Sequence, residues 1–165
     1  MSNVDEMSFK LRDMLSEDLS QVLTIERAVH ISPWSRLSFE ESLTKHEARE
    51  YSCRVVESVD EVVGYTVLCP VVDELHILNI VVATGYQGRG LSHLLMQDIL
   101  EQAQVKGLKK IFLEVRASNE IAQSLYLKWQ FEQIAIRKRY YSLPDSKNAN
   151  EREDALIFLH QIPKR

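Results

Sequence analysis

Apolar and polar positions change period several times along the chain. Ser8–Met14 alternates loosely around Phe9 and Leu11 and predicts a first strand. Ser16, followed by Glu17 and Asp18, has the form of a hydroxyl cap with acids in the first turn, so a helix is expected from there. Leu19, Val22, Leu23, Ile25 and Glu26 carry it towards His30, and Ile31-Ser32-Pro33-Trp34 breaks it. Ser38-Phe39-Glu40-Glu41 reads as a capping box opening a second helix that ends near His46.

The period then shortens. Tyr51–Glu57, Val62–Val72 and Leu75–Ala83 are rich in Val, Ile and Tyr, with turn signals at Ser58–Glu61 and Val72–Glu74. They predict three antiparallel strands joined by short hairpins. Beyond Gly90, the residues Leu91, Leu94, Leu95, Ile99, Leu100 and Ala103 recur at helical spacing up to Gly107. Lys110–Arg116 predicts a buried strand. Asn119–Lys128 predicts a helix with Ile121, Ala122 and Leu125 inward, and Phe131–Tyr141 and Ala155–Gln161 predict two last strands. Between those two, Ser142–Asp154 is polar, contains Pro144 and is expected as a long loop. The order strand, helix, helix, three strands, helix, strand, helix, two strands gives an α/β fold over 1–165: a single domain with a mixed, mostly antiparallel sheet flanked by helices.

Composition narrows the class. With 165 residues, 45% apolar and 27% charged, the chain can bury a core and is not disordered as a whole. No apolar run approaches the roughly 18 residues of a membrane span. The opening MSNVDEMSFK has acids and no apolar core, so a signal peptide is not expected. Cys53 and Cys69 lie in strand-like settings and are expected as buried thiols in a reducing compartment, without a disulfide scaffold or zinc cage. His30, His46, His76, His93 and His160 show no metal-ligand spacing, so no metal is expected. The net charge of −4 argues against a nucleic-acid platform, despite Arg137-Lys138-Arg139 beside two tyrosines.

Glycine use is concentrated. Of five glycines, three lie at 85, 88 and 90, between a strand and a helix. Such a loop lets backbone amides approach a ligand, and a helix start adds unpaired N–H groups and a positive dipole end. Together they suit a phosphate or diphosphate. Neither a Walker loop nor the dinucleotide fingerprint matches the spacing. A tight turn entering a helix is the competing reading.

Several residues carry candidate chemistry. Glu114 shares a strand face with Phe112 and Arg116. A carboxylate there needs either a water-lined cleft, in which partial burial would suit it as a base, or an ion pair with Arg116 or a neighbour. Tyr126, on the predicted helix, reads as a core aromatic or as a proton donor. Asn119 suits a helix cap. Trp34 sits between the first two helices, and of Tyr140 and Tyr141 one is expected to pack and the other to line a groove. Glu151, Glu153 and Asp154 would either attract a basic peptide or simply be solvated.

Gln87-x-x-Gly90-x-Ser92, after a strand and before a helix, resembles the acetyl-CoA loop of the Gcn5-related N-acetyltransferases, whose pattern is Gln/Arg-x-x-Gly-x-Gly/Ala. Ser92 stands where Gly or Ala is usual. The element order matches that family's fold over nearly the whole chain. Asn79-Ile80-Val81-Val82, Leu113-Glu114-Val115-Arg116-Ala117-Ser118-Asn119, Leu125-Tyr126, Arg139-Tyr140-Tyr141 and Glu153-Asp154-Ala155 follow in order, with Pro33-Trp34-Ser35 upstream. This set is similar to the bacterial ribosomal-protein alanine N-acetyltransferases, the RimI type. Gln130 replaces the glycine usual before Phe131, which is expected to cost some C-cap stability.

The resemblance implies a cytoplasmic enzyme that takes acetyl-CoA and acetylates a protein N-terminus by direct attack in a ternary complex. The implied acceptor is the alanine terminus of small-subunit ribosomal protein S-eighteen. Gln87, Gly88, Arg89, Gly90, Leu91, Ser92 and His93 would surround the coenzyme's diphosphate. The backbone of Ile80, Val81 and Val82 would pair with its pantetheine arm, an amide near Val82 would face the thioester oxygen, and Asn119 would add a contact. Glu114 would act as general base through water and Tyr126 as general acid, while Trp34, Tyr140 and Tyr141 would border the acceptor. A lysine or small amine as acceptor, or a non-catalytic acyl-CoA-binding module, are the alternatives. No membrane or direct nucleic-acid partner is implied.

Overall fold

The computed structural model describes residues 8–143 and 151–164. Its order is β1 (Phe9–Asp13), a 3-10 turn at Ser16–Asp18, α1 (Leu19–Val29), α2 (Arg36–Glu47), β2 (Ser52–Ser58), β3 (Glu61–Val71) and β4 (Glu74–Val82). A 3-10 turn at Thr84–Tyr86 then leads to α3 (Leu91–Val105), β5 (Lys110–Arg116), α4 (Glu120–Lys128), β6 (Glu132–Ser142) and β7 (Arg152–Gln161). The strands form a seven-stranded sheet in the order β1-β2-β3-β4-β5-β7-β6. Two-residue connections at 59–60 and 72–73 join β2 to β3 and β3 to β4, which only antiparallel neighbours permit. Val59 and Asp60 take φ of 47° and 64°, the left-handed pair of a tight hairpin. The β1–β2, β5–β7 and β6–β7 pairs are antiparallel. The pair β4–β5 is parallel, from Glu74↔Lys110 to Ile77↔Leu113, and α3 lies in the connection between those two strands. The expected element order and mixed, mostly antiparallel sheet are therefore present.

Both N-terminal helix starts differ from expectation. Asp18, not Ser16, secures the first: its Oδ2 accepts the Leu15 N–H at 2.8 Å, and the Arg12 guanidinium holds both its oxygens. The second is capped by Ser35, whose Oγ accepts the Ser38 N–H at 3.1 Å, so Ser38 lies inside the first turn.

The chain forms two compact units, one up to Val67 together with Asn79–Met96, the other Leu68–Leu78 together with Gln97 onward. In the first, Phe39, Leu43, Val22 and Leu23 of the two N-terminal helices pack with Val55, Tyr65, Val67 and Val81 of the strands. Leu91 and Leu95 of α3 pack with Val56, Val63 and Val82 in a separate cluster. Apolar packing on both sides explains why Val62–Leu68 is buried without alternation. Gly64 is required for close approach: a Cβ there would lie 2.9 Å from the Val81 carbonyl oxygen.

In the second unit β5 alternates, with Ile111, Leu113 and Val115 buried and Phe112, Glu114 and Arg116 on the other face. The inward stripe of α4 is Ala122, Leu125 and Tyr126; Ile121 is off that stripe and 86% exposed, against expectation. The Ser142–Asp154 loop is shorter than expected, because β6 reaches Ser142 and β7 begins at Arg152. Pro144 and the rest of 144–150 lie outside the described residues, as do residues 1–7 of the opening segment. Among the described residues no helix is long and apolar enough to cross a membrane.

Candidate active site

The first unit contains the glycine loop. Gly88 and Gly90 adopt φ of 78° and 81°, and an added Cβ at either would meet nothing within 4 Å. Backbone conformation, not space, therefore selects glycine there. The Leu94 N–H donates to the Gly90 carbonyl at 3.1 Å. The amides of Leu91, Ser92 and His93 lie before that bond, in the turn where a helix collects positive dipole. The Gln87 side-chain amide donates to the Val82 carbonyl at 3.3 Å, closing the loop onto the end of β4. Arg89 lies over the Tyr86 ring at 5.0 Å. Leu91, Val81 and Val82 are buried, Ile80 and Ser92 half-buried, and His93 exposed. Left-handed glycines, a helix start and open space suit the diphosphate of a coenzyme.

Tyr86 is a residue that sequence reasoning passed over. Its ring meets Phe9 edge-on at 6.3 Å, and its hydroxyl donates to Glu61 at 3.1 Å. That hydrogen bond holds the phenol above its usual range. An aromatic between two loop glycines was the available signal, since glycine loops need an anchor.

Glu26, placed on the first helix by its pattern, was given no role. It sits on the apolar stripe of α1 with Leu19, Val22 and Leu23, and is fully buried. Its oxygens accept the Trp34 N–H at 3.1 Å, the Tyr65 hydroxyl, and the Asn79 side-chain amide at 3.0 Å. Burial, with Glu26 adding to it, pushes the Tyr65 phenol far up. Trp34 itself is half-buried and tilted against Phe39 at 5.3 Å.

The second unit contains the titratable pair. Glu114 keeps 31% of its side chain exposed, and its Oε1 lies 3.4 Å from Arg137, a neighbouring cation, not from Arg116. Arg116, the other expected partner, turns to Glu153 at 2.8 Å and to the Ser142 carbonyl, with Tyr141 beneath its guanidinium at 4.5 Å. Tyr126 is 6% exposed between Phe131 and Phe158, with centroids at 5.8 and 6.1 Å. Burial, with Tyr141 adding, pushes its pKa up to about 12, above the ordinary phenol value. Tyr141 is half-buried and is also pushed up to about 12, by burial and then by Glu114. Tyr140 is exposed and meets Tyr141 edge-on at 5.1 Å. One tyrosine thus packs and one faces solvent. Asn119 caps α4, accepting the Ala122 N–H at 3.2 Å.

The acids at 153 and 154 correct the sequence reading. They belong to β7, not to a solvated loop, because both are used by the backbone around them. Glu153 accepts from Arg116 and from the Ser118 N–H. Burial would raise its pKa, but those hydrogen bonds outweigh it and the net shift is down. Asp154 accepts the Arg139 N–H at 2.9 Å where the β6–β7 register shifts. Cys53 is buried, and burial pushes its thiol up to about 12, so it is not poised as a nucleophile. Among the described residues no group of three or more His, Cys, Asp or Glu is placed to hold a metal.

Comparison with known proteins places this sheet and loop in a class. The family model described as acetyltransferase (GNAT) family matches residues 18–131. The chain belongs to that family and is an N-acetyltransferase. It is 31% identical over 140 residues to the [Ribosomal protein bS18]-alanine N-acetyltransferase of Haemophilus ducreyi, covering 85% of this chain and 94% of that protein. It is 34% identical over 147 residues to the putative enzyme of the same name from Bacillus subtilis, covering 89% and 91%. The crystal structure of the ribosomal-protein-S18-alanine N-acetyltransferase from Escherichia coli superposes with a TM-score of 0.83 at 28% identity, over 96% of each chain.

Proposed function

We propose that this chain transfers the acetyl group of acetyl-CoA to a protein N-terminal α-amino group, that of the alanine terminus of ribosomal protein bS18, in the cytoplasm. The observation that carries the coenzyme part is the pair of left-handed glycines, Gly88 and Gly90, between β4 and α3. The names of the relatives, matched over more than four-fifths of the chain, support the acceptor.

Acetyl-CoA supplies an activated thioester. The amides of 88–93, with Arg89 and Ser92 beside them, would hold its diphosphate, and the backbone of Ile80, Val81 and Val82 its pantetheine arm. Asn119 would add a contact from the N-cap of α4. An α-amine has a pKa near 8, so much of it is protonated at neutral pH, and Glu114 would take its proton through water. Exposure to solvent suits that path. Tyr126, with its pKa near 12, stays protonated throughout the working range. It is a weaker acid than a free phenol, so it acts as a hydrogen-bond donor that releases its proton only as the carbon–sulfur bond breaks. Trp34, Tyr140 and Tyr141 would border the acceptor, in one ternary complex with the coenzyme.

Incubating the full chain with acetyl-CoA and an alanine-initiated peptide containing an internal lysine tests this. Tandem mass spectrometry should find one acetyl group on the α-amine. Acetylation confined to the lysine, or to a polyamine competitor, would overturn the acceptor; coenzyme binding with no transfer to any amine would leave a binding module.

A further inference from the structure

Glu26 is buried, charged in type and unused by the chemistry above. Its position on the apolar stripe of α1 would ordinarily hold a leucine. A buried carboxyl is retained only where donors meet it. Here those donors come from three places: the backbone of Trp34, the Tyr65 hydroxyl on β3 and the Asn79 amide on β4. The other side of Asn79 meets His30 Nε2 at 3.1 Å, at the end of α1. The α1–α2 junction is thereby fastened at its start to Asn79 of β4 through His30 and at Trp34 to Glu26 of α1, which itself holds Asn79, the residue immediately before Ile80.

What is fastened carries exposed apolar side chains. Ile31 and Leu37 are 51% and 61% exposed on either side of Trp34, which alone among residues 31–37 is half-buried. Without the hydrogen bond to Glu26, the Trp34 amide would have to find another acceptor and its ring another seat on Phe39.

We propose that Glu26 is a positioning residue for the acceptor: by holding the Trp34 amide it sets the place of the Ile31–Trp34–Leu37 surface against which the peptide's first residues bind. This rests on the N-terminal acetyltransferase reading. Glu26 therefore governs KM for the peptide, not the affinity for acetyl-CoA.

Glu26→Gln replaces an accepting oxygen by an NH2 donor; keeping the amide oxygen on the Tyr65 and Asn79 donors, two bonds against one, turns that NH2 towards the Trp34 N–H. Tyr65→Phe removes one donor and leaves the Trp34 bond intact, so it controls for damage to the core. We expect Glu26→Gln to raise peptide KM about tenfold with kcat within about threefold, and acetyl-CoA affinity by calorimetry to stay at the wild-type value. Tyr65→Phe should lower the thermal midpoint and leave KM within about twofold. An unchanged KM in folded Glu26→Gln, or KM rising in both variants in step with lost stability, overturns the inference. If Glu26→Gln does not fold, amide exchange of the wild-type chain decides. The Trp34 N–H should be protected like the core of α1, and exchange at the rate of Ile31 would refute its anchoring. A wild-type enzyme inactive on every alanine-initiated peptide would instead sink the functional reading, and with it the acceptor role.

Discussion

Phe131 closes the end of α4 onto Tyr126: its N–H donates to the Tyr126 carbonyl at 3.0 Å, and the two rings lie 5.8 Å apart. The Gln130 N–H donates to Leu127 at 3.0 Å, completing a Schellman cap with its apolar contact. The cap puts Gln130 at φ 64°, a conformation glycine adopts without cost. Gln130→Gly should therefore stabilise the protein by about 1 kcal/mol. For a chain of this length that raises the thermal midpoint by roughly 2–4 °C. Scanning calorimetry would show it, and a lower midpoint would mean the side chain contributes more than its backbone strain removes.

The glycine loop makes a different demand. A Cβ at Gly88 or Gly90 meets nothing within 4 Å, so Gly88→Ala and Gly90→Ala add no clash. They penalise only the left-handed backbone, by about 1–2 kcal/mol. Part of that penalty can be escaped by letting the loop relax, which misdirects its amides. Both variants should stay folded and bind acetyl-CoA about tenfold or more weakly, as read by titration calorimetry, since 1.4 kcal/mol is a factor of ten. Gly64→Ala is the contrast, because its Cβ would stand 2.9 Å from a backbone oxygen and it should lose stability first.

The element order was legible because the hydrophobic period changes cleanly at each boundary, and the glycine loop because glycine is scarce elsewhere. Helix starts were less so: Ser35 and Ser38 are both cap-like, and so are Ser16 and Asp18, so local chemistry is degenerate until tertiary partners choose. Ile121 was misplaced because a nine-residue helix holds too few turns to fix its buried stripe without knowing that Tyr126 is inside. Glu153 and Asp154 looked like loop acids because their partners, Arg116, Ser118 and Arg139, lie 15 to 37 residues away. Glu26 did leave a signal, a carboxyl on an apolar stripe, but Asn79, which explains it, is 53 residues on.

Asp18 makes the fold sensitive to acid. Its oxygens take Arg12 Nη1 and Nη2 at 2.8 and 2.9 Å, and the Leu15 N–H adds a third bond. The Arg12 hydrogen bonds hold its carboxyl below the ordinary value, against the opposing effect of burial. A carboxyl depressed in the folded state contributes stability above its unfolded pKa, near 3.9, and loses it as pH falls through the folded value. Asp18→Asn should cost about 2 kcal/mol at pH 7. The gap between variant and wild type should narrow from about pH 4 downward and vanish once the wild-type carboxyl is protonated. Urea titrations at neutral and acidic pH measure this, and a gap that persists at low pH would assign the loss to packing.

The titratable pair is separable by kinetics. Glu114 faces solvent with Arg137 at 3.4 Å, whereas Tyr126 is enclosed by Phe131 and Phe158. Glu114→Gln removes the proton acceptor and keeps the shape of an exposed side chain, so kcat should fall about 100-fold or more with little change in stability. Tyr126→Phe keeps the ring in its packed seat and removes only the hydroxyl, so kcat should fall by about one to two orders of magnitude. Because burial pushes the Tyr126 pKa up to about 12, deprotonating it cannot limit the wild-type rate in any ordinary buffer. The wild-type kcat profile should show no basic limb below about pH 10, and Tyr126→Phe should lower the profile without moving its acidic limb. A basic limb near pH 8 that disappears in Tyr126→Phe would mean the hydroxyl titrates in contact with water, and Tyr126 would then not be an enclosed proton donor.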